Sequence, residues 1–239
     1  MEQIGAELVA IGVMWYLVFL FSTTCHEAAH ALAAKLGGDP TAFHGGQVTL
    51  NPLPHIEREP IGMIVAPIAS LVLSKGGYMV GWASAPYDAS WQARHPRRAA
   101  WMALAGPAAN FTLMLIAAGG IRLGMAMGAF RAPAAANFTK ITEAVDPAAM
   151  GFAATLVSIL FAQNLLLGTF NLLPFPPLDG NTGVTLLMSE RVARRFLDFT
   201  QDSTFRLVGL LLAWYGFGYV IRYIYVTALN VLYPGAGYG

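Results

Sequence analysis

The sequence predicts an all-α membrane protein, a polytopic helical bundle of about five hydrophobic segments. Of its 239 residues, 56% are hydrophobic and 11% are charged, whereas ordinary soluble domains carry about 25% charged residues. Apolar stretches of about 20 residues, the length that crosses a bilayer as a helix, recur along the chain. We expect one integral-membrane domain over residues 1–239, embedded in the lipid bilayer as a multi-pass protein.

The charge balance and the cysteine content narrow the function. The formal net charge is +1, which offers no basic surface for nucleic acid, so we expect no nucleic-acid partner. Cys25 is the one cysteine, which excludes an intramolecular disulfide and a multi-cysteine zinc site. Residues 1–7 contain no Lys or Arg and lack the basic start of a cleavable signal peptide. The first apolar segment is therefore expected to remain in the mature protein.

Five apolar segments are candidate membrane helices, and polar or Pro- and Gly-rich stretches separate them. They lie at about 7–36, 60–82, 98–128, 150–173 and 205–232. The second contains Lys75-Gly76-Gly77, so it predicts a single span, a broken helix or a re-entrant hairpin. Residues 37–59 mix β-branched residues with Gly, Pro and Asn and predict a short strand or loop at the membrane edge. The aromatic residues of the last segment suit a span with interfacial anchors.

The basic residues predict an orientation only if residues 60–82 cross the membrane once. The N-terminus then shares a side with residues 83–97 and 174–204, which together with Arg98 hold six arginines. The other side carries few cationic residues. Because loops rich in Lys and Arg stay in the cytoplasm, this pattern favours a cytoplasmic N-terminus.

A metal-binding pattern, His26-Glu27-Ala28-Ala29-His30, interrupts the first apolar segment. Residues four apart lie on one face of a helix, so His26 and His30 can present two ring nitrogens to one ion. Glu27 stands beside them and can hold a water on that ion, as in the H-E-x-x-H motif of metallohydrolases. One ionisable residue near mid-membrane costs about 2.5–3.5 kcal/mol, and a metal ion would compensate for the group. The alternative is a polar trio that hydrogen-bonds to other helices.

Two histidines do not complete a catalytic zinc site, which typically has three protein ligands and one position for water. The best third candidate is Asp179 in the sequence NLLPFPPLDG at 171–180. The prolines of this stretch stop the preceding helix and favour extended backbone. Gly180 permits a tight turn, so Asp179 can point back toward the bundle. The alternative is an Asp-Gly turn at the membrane interface.

Together these motifs resemble the site-2 protease family of intramembrane zinc metalloproteases, peptidase family M50, in a compact form without PDZ or CBS domains. The resemblance extends to GPAAN at 106–110 and to TLNPLPHI at 49–56, and it covers about residues 17–190, the expected catalytic core. The remaining apolar segment, about 205–232, follows this core. Glu57-Arg58-Glu59 departs from the short Asp-Pro step of relatives, which leaves the recruitment of substrate open.

The resemblance implies a function and a role for each motif residue. His26, His30 and Asp179 would be zinc ligands, and Glu27 would be the catalytic base that activates water for attack on a peptide carbonyl. The expected cofactor is Zn²⁺, and the expected substrate is a transmembrane protein. The resemblance also implies regulated intramembrane proteolysis or signal-peptide clearance, and we expect the plasma membrane of a prokaryote as the location.

Three further polar side chains are candidates for binding the substrate. A transmembrane substrate must unwind locally, and its freed N–H and C=O groups need new partners. Asn171 and Asn110 could hold the substrate backbone or the oxyanion, but helix-to-helix hydrogen bonds, or capping by Asn110 near the start of its helix, are equal alternatives. His55 could stabilise the tetrahedral intermediate. For His55 and His44 the simpler interpretation is a solvated side chain at the interface.

A second function class fits the same ligand set. A membrane metal-binding or transport protein could bind an ion through these residues and then release it. Glu27 distinguishes the two, because a hydrolase needs a carboxylate beside the metal that is not a ligand. A catalytically silent relative that binds membrane helices is a third hypothesis, and the presence of all three ligands and the base argues against it.

Overall fold

The computed structural model describes residues 2–239 and, of residues 2–8, only the backbone. The helices are α1 (Glu2–Gly37), α2 (Thr41–His44), α3 (Leu53–Arg58), α4 (Ala66–Leu73), α5 (Ala89–Arg94), α6 (Pro96–Ala126), α7 (Pro147–Asn171), α8 (Asp179–Gly183), α9 (Glu190–Thr200) and α10 (Ser203–Leu232). A π-helical turn, Ile61–Val65, leads into α4, and a 3-10 turn, Val184–Leu187, follows α8. Two short strands, β1 (Phe130–Arg131) and β2 (Glu143–Ala144), pair antiparallel between α6 and α7.

Among the residues that the structure describes, four helices are long and apolar enough to cross a bilayer. They are α6, α7, α10 and the part of α1 from Val9 to Gly37. Each exceeds the roughly 20 apolar residues that a span requires. The predicted fold class, an all-α polytopic membrane protein, is therefore confirmed.

The second apolar segment does not form a full span. Its helical part, Ile61–Leu73, is shorter than the other four and falls below the length needed to cross. Lys75 and Gly76 then adopt positive φ angles of 53° and 84°, and residues 78–88 return without helical structure. Of the three alternatives for residues 60–82, the structure has the hairpin.

Serine side chains of α4 hold the returning chain against the helix. The Tyr78 N–H donates to Ser74 Oγ (3.2 Å), and the Ser74 hydroxyl donates to the Tyr78 carbonyl (2.9 Å). Ser70 makes the same two bonds with Val80, at 2.9 and 3.1 Å. Irregular backbone at the membrane needs protein partners for its polar groups, and the serines supply them at every second residue. Apolar length alone does not reveal this pairing.

The hairpin changes the predicted orientation. With four crossing helices, the N-terminus lies on the opposite side of the membrane from residues 83–97 and 174–204. The premise for a cytoplasmic N-terminus therefore fails. The same positive-inside rule now favours a cytoplasmic location for those two arginine-rich stretches and an N-terminus on the other side.

The stretch 37–59 contains turns and the helices α2 and α3, so the described residues have no strand there. Its polar side chains bond to nearby backbone instead. Thr49 Oγ1 accepts from the Asn51 N–H (3.1 Å), and Asn51 Oδ1 accepts from the Leu53 N–H (3.1 Å) where α3 begins. Such local bonds compete with strand pairing. The prediction of a loop at this place is confirmed, and the alternative of a strand is wrong.

The core lies where α1, α6 and α7 pack together. Small residues allow close approach: a Cβ on Gly168 of α7 would lie 3.0 Å from the Phe111 ring of α6. By contrast, α10 contacts the bundle at separate points along its length. Phe170 of α7 packs edge-on against Trp214 and Phe217 of α10, and Leu229 joins the buried cluster near the end of α10. The functional motifs all lie in the three-helix core or in the loops beside it.

Candidate metal centre

Three side chains from two distant parts of the chain converge inside the bundle. His26 and His30 lie one turn apart on α1, with their Nε2 atoms 2.9 Å apart. Asp179, the first residue of α8, places Oδ2 3.1 Å from His26 Nε2 and 3.2 Å from His30 Nε2. The structure thus brings together two imidazole nitrogens and one carboxylate oxygen, as the sequence predicted. Their role as ligands stays a prediction.

The loop between α7 and α8 aims Asp179 at the histidines. Helix α7 ends at Asn171, three residues before Pro174, and Pro174 disfavours helical backbone at the residue before it. Leu178 is extended (φ −72°, ψ 157°), and α8 begins at the next residue. A Cβ on Gly180 would overlap the Leu172 carbonyl. Glycine is therefore needed for close backbone approach rather than for a left-handed turn, and this approach folds the loop back onto α7.

Hydrogen bonds behind the rings orient both histidines. His30 Nδ1 lies 2.7 Å from the Met102 carbonyl oxygen, and His26 Nδ1 lies 2.6 Å from Asn110 Oδ1. Both partners are acceptors, so each Nδ1 carries the proton and each Nε2 carries a lone pair. This is the arrangement typical of histidine ligands, in which the second nitrogen donates to a carbonyl or carboxylate.

The donor set fits a zinc ion. Asp179 Oδ2 is buried and has no hydrogen-bond partner among the described residues. Two Nε2 atoms and this carboxylate oxygen lie 2.9–3.2 Å from one another. One cation can accept all three as donors, and nitrogen with carboxylate oxygen is a common zinc ligand set. A Cβ on Gly106 would come within 2.6 Å of His26 Nε2, so glycine keeps this space clear.

Glu27 completes the group. Its carboxylate and the two histidine nitrogens lie within 4.8 Å of one another. The side chain is buried, and the described residues offer it no hydrogen bond or ion pair. A buried carboxylate with no protein partner, beside a metal site, is suited to act on a bound water.

The group lies within the membrane span but nearer one side. A helix rises about 1.5 Å per residue, so His26 lies about 16 Å and His30 about 10 Å from the end of α1 at Gly37. Asp179 follows the end of α7 on that same side. The arginine-rich residues 83–97 and 174–204 are also on this side, so water has the shorter path to the group from there.

The structure gives Asn110 a different place from the one expected. Asn110 lies in the middle of α6, well after its start at Pro96, and is fully buried. Its Oδ1 faces His26, while its Nδ2 donates to Asn164 Oδ1 (2.9 Å) and more weakly to the Ser22 carbonyl (3.4 Å). The expectation that Asn110 begins a helix is wrong. Its engaged amide favours helix-to-helix hydrogen bonding over contact with a substrate.

The other two candidates for substrate binding remain available. Asn171 Nδ2 donates to the Leu167 carbonyl within α7 (3.0 Å). His55 is 1% exposed, so it is not the solvated side chain that the simpler interpretation expected, whereas His44 is exposed. His55 Nε2 lies 3.2 Å from the Thr49 carbonyl oxygen, and its buried Nδ1 has no hydrogen-bond partner among the described residues.

Sequence reasoning missed three contributors to the group. The Met102 carbonyl has no side-chain signal, and Ser22 is not distinctive by type. Asn164 was recognisable in principle, because an amide inside the apolar segment 150–173 is costly unless it has partners. Gly106 was noticed only as part of a motif, without its steric role.

Comparisons with known proteins agree with this geometry. The family model described as "Peptidase family M50" matches residues 14–216. A relative from Bacillus subtilis (strain 168), described as "Putative zinc metalloprotease YwhC", is 33% identical over 173 residues, which is 71% of this chain and 68% of the relative. No solved structure matches the chain at a significant level.

Proposed function

The chain belongs to peptidase family M50 and is a zinc metalloprotease of the membrane, and from this premise we propose that it hydrolyses peptide bonds within or near the transmembrane segments of other membrane proteins. One observation carries the proposal. His26, His30 and Asp179 converge about 10–16 Å inside the end of a helix long enough to span a bilayer. A protease for soluble substrates has no need for such a depth.

In this proposal His26 Nε2, His30 Nε2 and Asp179 hold the zinc ion. Three protein ligands leave a position for water, which is typical of catalytic sites. When bound, zinc polarises the scissile carbonyl and lowers the pKa of a water molecule. The Asn110 and Met102 oxygens accept from the Nδ1 atoms of the two histidines, which directs each Nε2 toward the ion.

Glu27 acts as general base and then as general acid. Its carboxylate takes one proton from the attacking water as the water oxygen bonds to the peptide carbonyl carbon. Glu27 then gives that proton to the departing amine nitrogen as the C–N bond breaks. No covalent bond to the enzyme forms. The absence of a protein partner for Glu27 among the described residues supports this role, since a structural carboxylate would be paired.

The substrate must unwind before cleavage, because helical hydrogen bonds shield its peptide groups. His55 Nδ1, which is buried without a hydrogen-bond partner among the described residues, is a candidate donor to the freed backbone or the oxyanion. Asn171 is the second candidate, because it lies at the last turn of α7, before the loop that carries Asp179. The relative from Bacillus supports a prokaryotic plasma membrane as the location and leaves regulated proteolysis and signal-peptide clearance as possible roles.

The test compares wild type with Glu27→Gln on a panel of single-span substrates in detergent, with bound zinc measured in both. Glu190→Gln, an exposed residue of α9, is the matched control. We expect equal zinc in all three proteins, cleavage by wild type and control, and at least a 100-fold loss for Glu27→Gln, the lower range of a general base's contribution.

Two outcomes would contradict the proposal. Cleavage by Glu27→Gln at the wild-type rate would remove Glu27 as the base. Cleavage of soluble peptides but of no membrane-embedded substrate would place the activity outside the bilayer. If zinc is bound and no substrate is cleaved, a metal-flux assay in liposomes tests the transport alternative directly.

A further inference from the structure

Behind His26 a chain of two amides crosses all three core helices. His26 Nδ1 on α1 lies 2.6 Å from Asn110 Oδ1 on α6. Asn110 Nδ2 lies 2.9 Å from Asn164 Oδ1 on α7. Asn164 Nδ2 in turn donates to the Leu160 carbonyl (2.9 Å) and to Ser22 Oγ (2.9 Å). The chain therefore begins at the imidazole and ends on the backbone of α7.

The direction of this chain is fixed from its far end. The Leu160 carbonyl can only accept, so the amide end of Asn164 that faces it must be Nδ2. Asn164 Oδ1 must then point the other way, toward Asn110, and only Nδ2 of Asn110 can donate to it. Asn110 consequently presents Oδ1 to His26. The Leu160 carbonyl, acting through Asn164, and the weaker direct contact of Asn110 Nδ2 with the Ser22 carbonyl (3.4 Å) thus determine which nitrogen of His26 carries the proton.

The reversed chain would be incompatible with metal binding. If the Asn110 amide were flipped, its Nδ2 would face His26 Nδ1, and that nitrogen would have to accept. The proton of His26 would then sit on Nε2, where it faces Asp179 and occupies the lone pair needed for a ligand. Orientation of one amide therefore selects between a ligating and a non-ligating tautomer.

The partner histidine shows why His26 needs this chain. His30 Nδ1 donates directly to the Met102 carbonyl (2.7 Å), a group that cannot flip. His26 has no such carbonyl and relies on a side-chain amide, whose two ends are nearly equal in shape. Asn164 makes the shorter of the two hydrogen bonds that orient this amide (2.9 Å, against 3.4 Å to the Ser22 carbonyl).

Burial rules out a solvent-related role for Asn164. Asn164 and Asn110 are both 0% exposed, and each lies within a helix long enough to cross the membrane. Polar groups at such positions are costly and generally mark function or satisfied networks. The neighbouring Gln163 is also buried, and its Oε1 has no hydrogen-bond partner among the described residues, so the same helix provides an amide outside the network.

We propose that Asn164 is a positioning residue of the metal centre, which acts through Asn110 to hold His26 in its zinc-binding tautomer. The inference rests on the proposed assignment of His26 as a zinc ligand. It predicts that substitution of Asn164, which is two hydrogen bonds away from His26, changes the affinity for zinc.

The experiment measures the zinc dissociation constant of the full chain in detergent by competition with a chelator. We expect Asn164→Leu, which keeps the volume and removes both hydrogen-bonding ends, to weaken zinc binding 10- to 100-fold, the usual range for groups that orient ligands. Gln163→Leu is the matched control for loss of a buried amide from α7, and we expect it to change affinity less than threefold. The d–d spectrum of the Co²⁺-substituted protein should change for Asn164→Leu alone.

A double-mutant cycle separates positioning from general packing. If Asn164 acts through Asn110, then adding Asn164→Leu to Asn110→Leu should weaken zinc binding by less than a further threefold. A residue that matters only for packing would give the same fold-change in both backgrounds. Asn164→Ser, whose shorter side chain cannot reach Asn110 while it bonds to Leu160, should reproduce the loss if Asn164→Leu does not fold.

The outcomes distinguish this inference from the proposed function. Three outcomes would overturn the positioning role. Asn164→Leu could bind zinc as tightly as wild type or lose no more affinity than Gln163→Leu. The third outcome is that Asn164→Leu weakens zinc binding by the same factor with and without Asn110→Leu. Failure of both Asn164 variants to fold while Gln163→Leu folds would also overturn it, because Asn164 would then be a residue of the fold. Absence of zinc from wild type would instead refute the metal centre itself, and zinc without cleavage would leave the affinity test intact.

Discussion

The three-helix core and the last helix handle polar and apolar groups in opposite ways. In the core, half of the most apolar 18-residue stretch of α1 is buried, and Ser22 and His26 of this helix form hydrogen bonds to other helices. In α10 only 11% of the most apolar 18-residue stretch is buried, and large apolar side chains such as Leu211 and Val208 face outward. In lipid, apolar exposure costs little, whereas an unpaired polar group costs much. Polar pairing, rather than apolar burial, therefore identifies the functional part of this molecule.

Glycines make the same comparison in steric terms. A Cβ on Gly106 would meet the Nε2 atoms of both His26 and His30, and one on Gly180 would overlap the carbonyl of Leu172. Gly216 and Gly218 of α10 have no atom within 4 Å of an added Cβ. Glycine in the core thus reserves space for chemistry and close packing, as Gly209 of α10 does against the Pro176 carbonyl, whereas Gly216 and Gly218 border lipid.

The largest expected effect follows from this difference. Gly106→Ala places a methyl group within 2.6 Å of His26 Nε2, so we expect loss of stoichiometric zinc and at least a 100-fold loss of cleavage, as for other changes that displace catalytic groups. Gly216→Ala is the control, and it should keep both properties while gaining up to about 1 kcal/mol in helix propensity. Metal analysis after dialysis and substrate cleavage measure the two variants. Full zinc content in Gly106→Ala would show that the ion binds elsewhere.

The sequence predicts the positions of the candidate ligands better than the hydrogen bonds that orient them. His26 and His30 are four apart on one helix, so their convergence follows from helical period alone. The proline-rich stretch and Gly180 made the return of Asp179 predictable as well. The orientation of Asn110 was not predictable, because it depends on the side-chain contacts between α6 and α7 and on a carbonyl of the latter.

The segment 60–82 shows a different limit. Its apolar length was consistent with a span, and only the pairing of Ser70 and Ser74 with the returning chain reveals the hairpin. Each serine hydroxyl bonds both backbone groups of one residue of the returning chain, as a neighbouring strand would. A hydropathy profile does not show this pairing. Because orientation depends on the parity of crossings, this one local arrangement reversed the predicted side of the N-terminus.

An intermediate effect is expected where a polar group ties the core to the peripheral loops. Asp39, 1% exposed, follows α1 and accepts from the Thr41 N–H (3.0 Å) and the Asp88 N–H (2.8 Å). Asp39→Ala leaves these donors without a partner, which costs about 1–3 kcal/mol of unfolding free energy. Asp198→Ala on the exposed face of α9 should change it by less than about 0.5 kcal/mol. Equal unfolding free energies of the two variants in denaturant titrations would show that the hydrogen bonds of Asp39 do not stabilise the fold.

The smallest expected effect tests the comparison at the centre of α10. Tyr215 and Tyr219 are exposed there, and their hydroxyls lie 2.8 Å apart. Tyr215→Phe should destabilise the protein only slightly and leave zinc affinity and cleavage within twofold of wild type. The double variant with Tyr219→Phe should recover part of this loss, because no unpaired hydroxyl then remains in lipid.

Removing both amides of the Asn110–Asn164 pair should give no such recovery of zinc affinity, since His26 would still lack a fixed acceptor. The unfolding free energy measures recovery for the Tyr215–Tyr219 pair, and the zinc dissociation constant measures it for the Asn110–Asn164 pair. Recovery in both pairs would mean that polar pairing in the core serves stability alone.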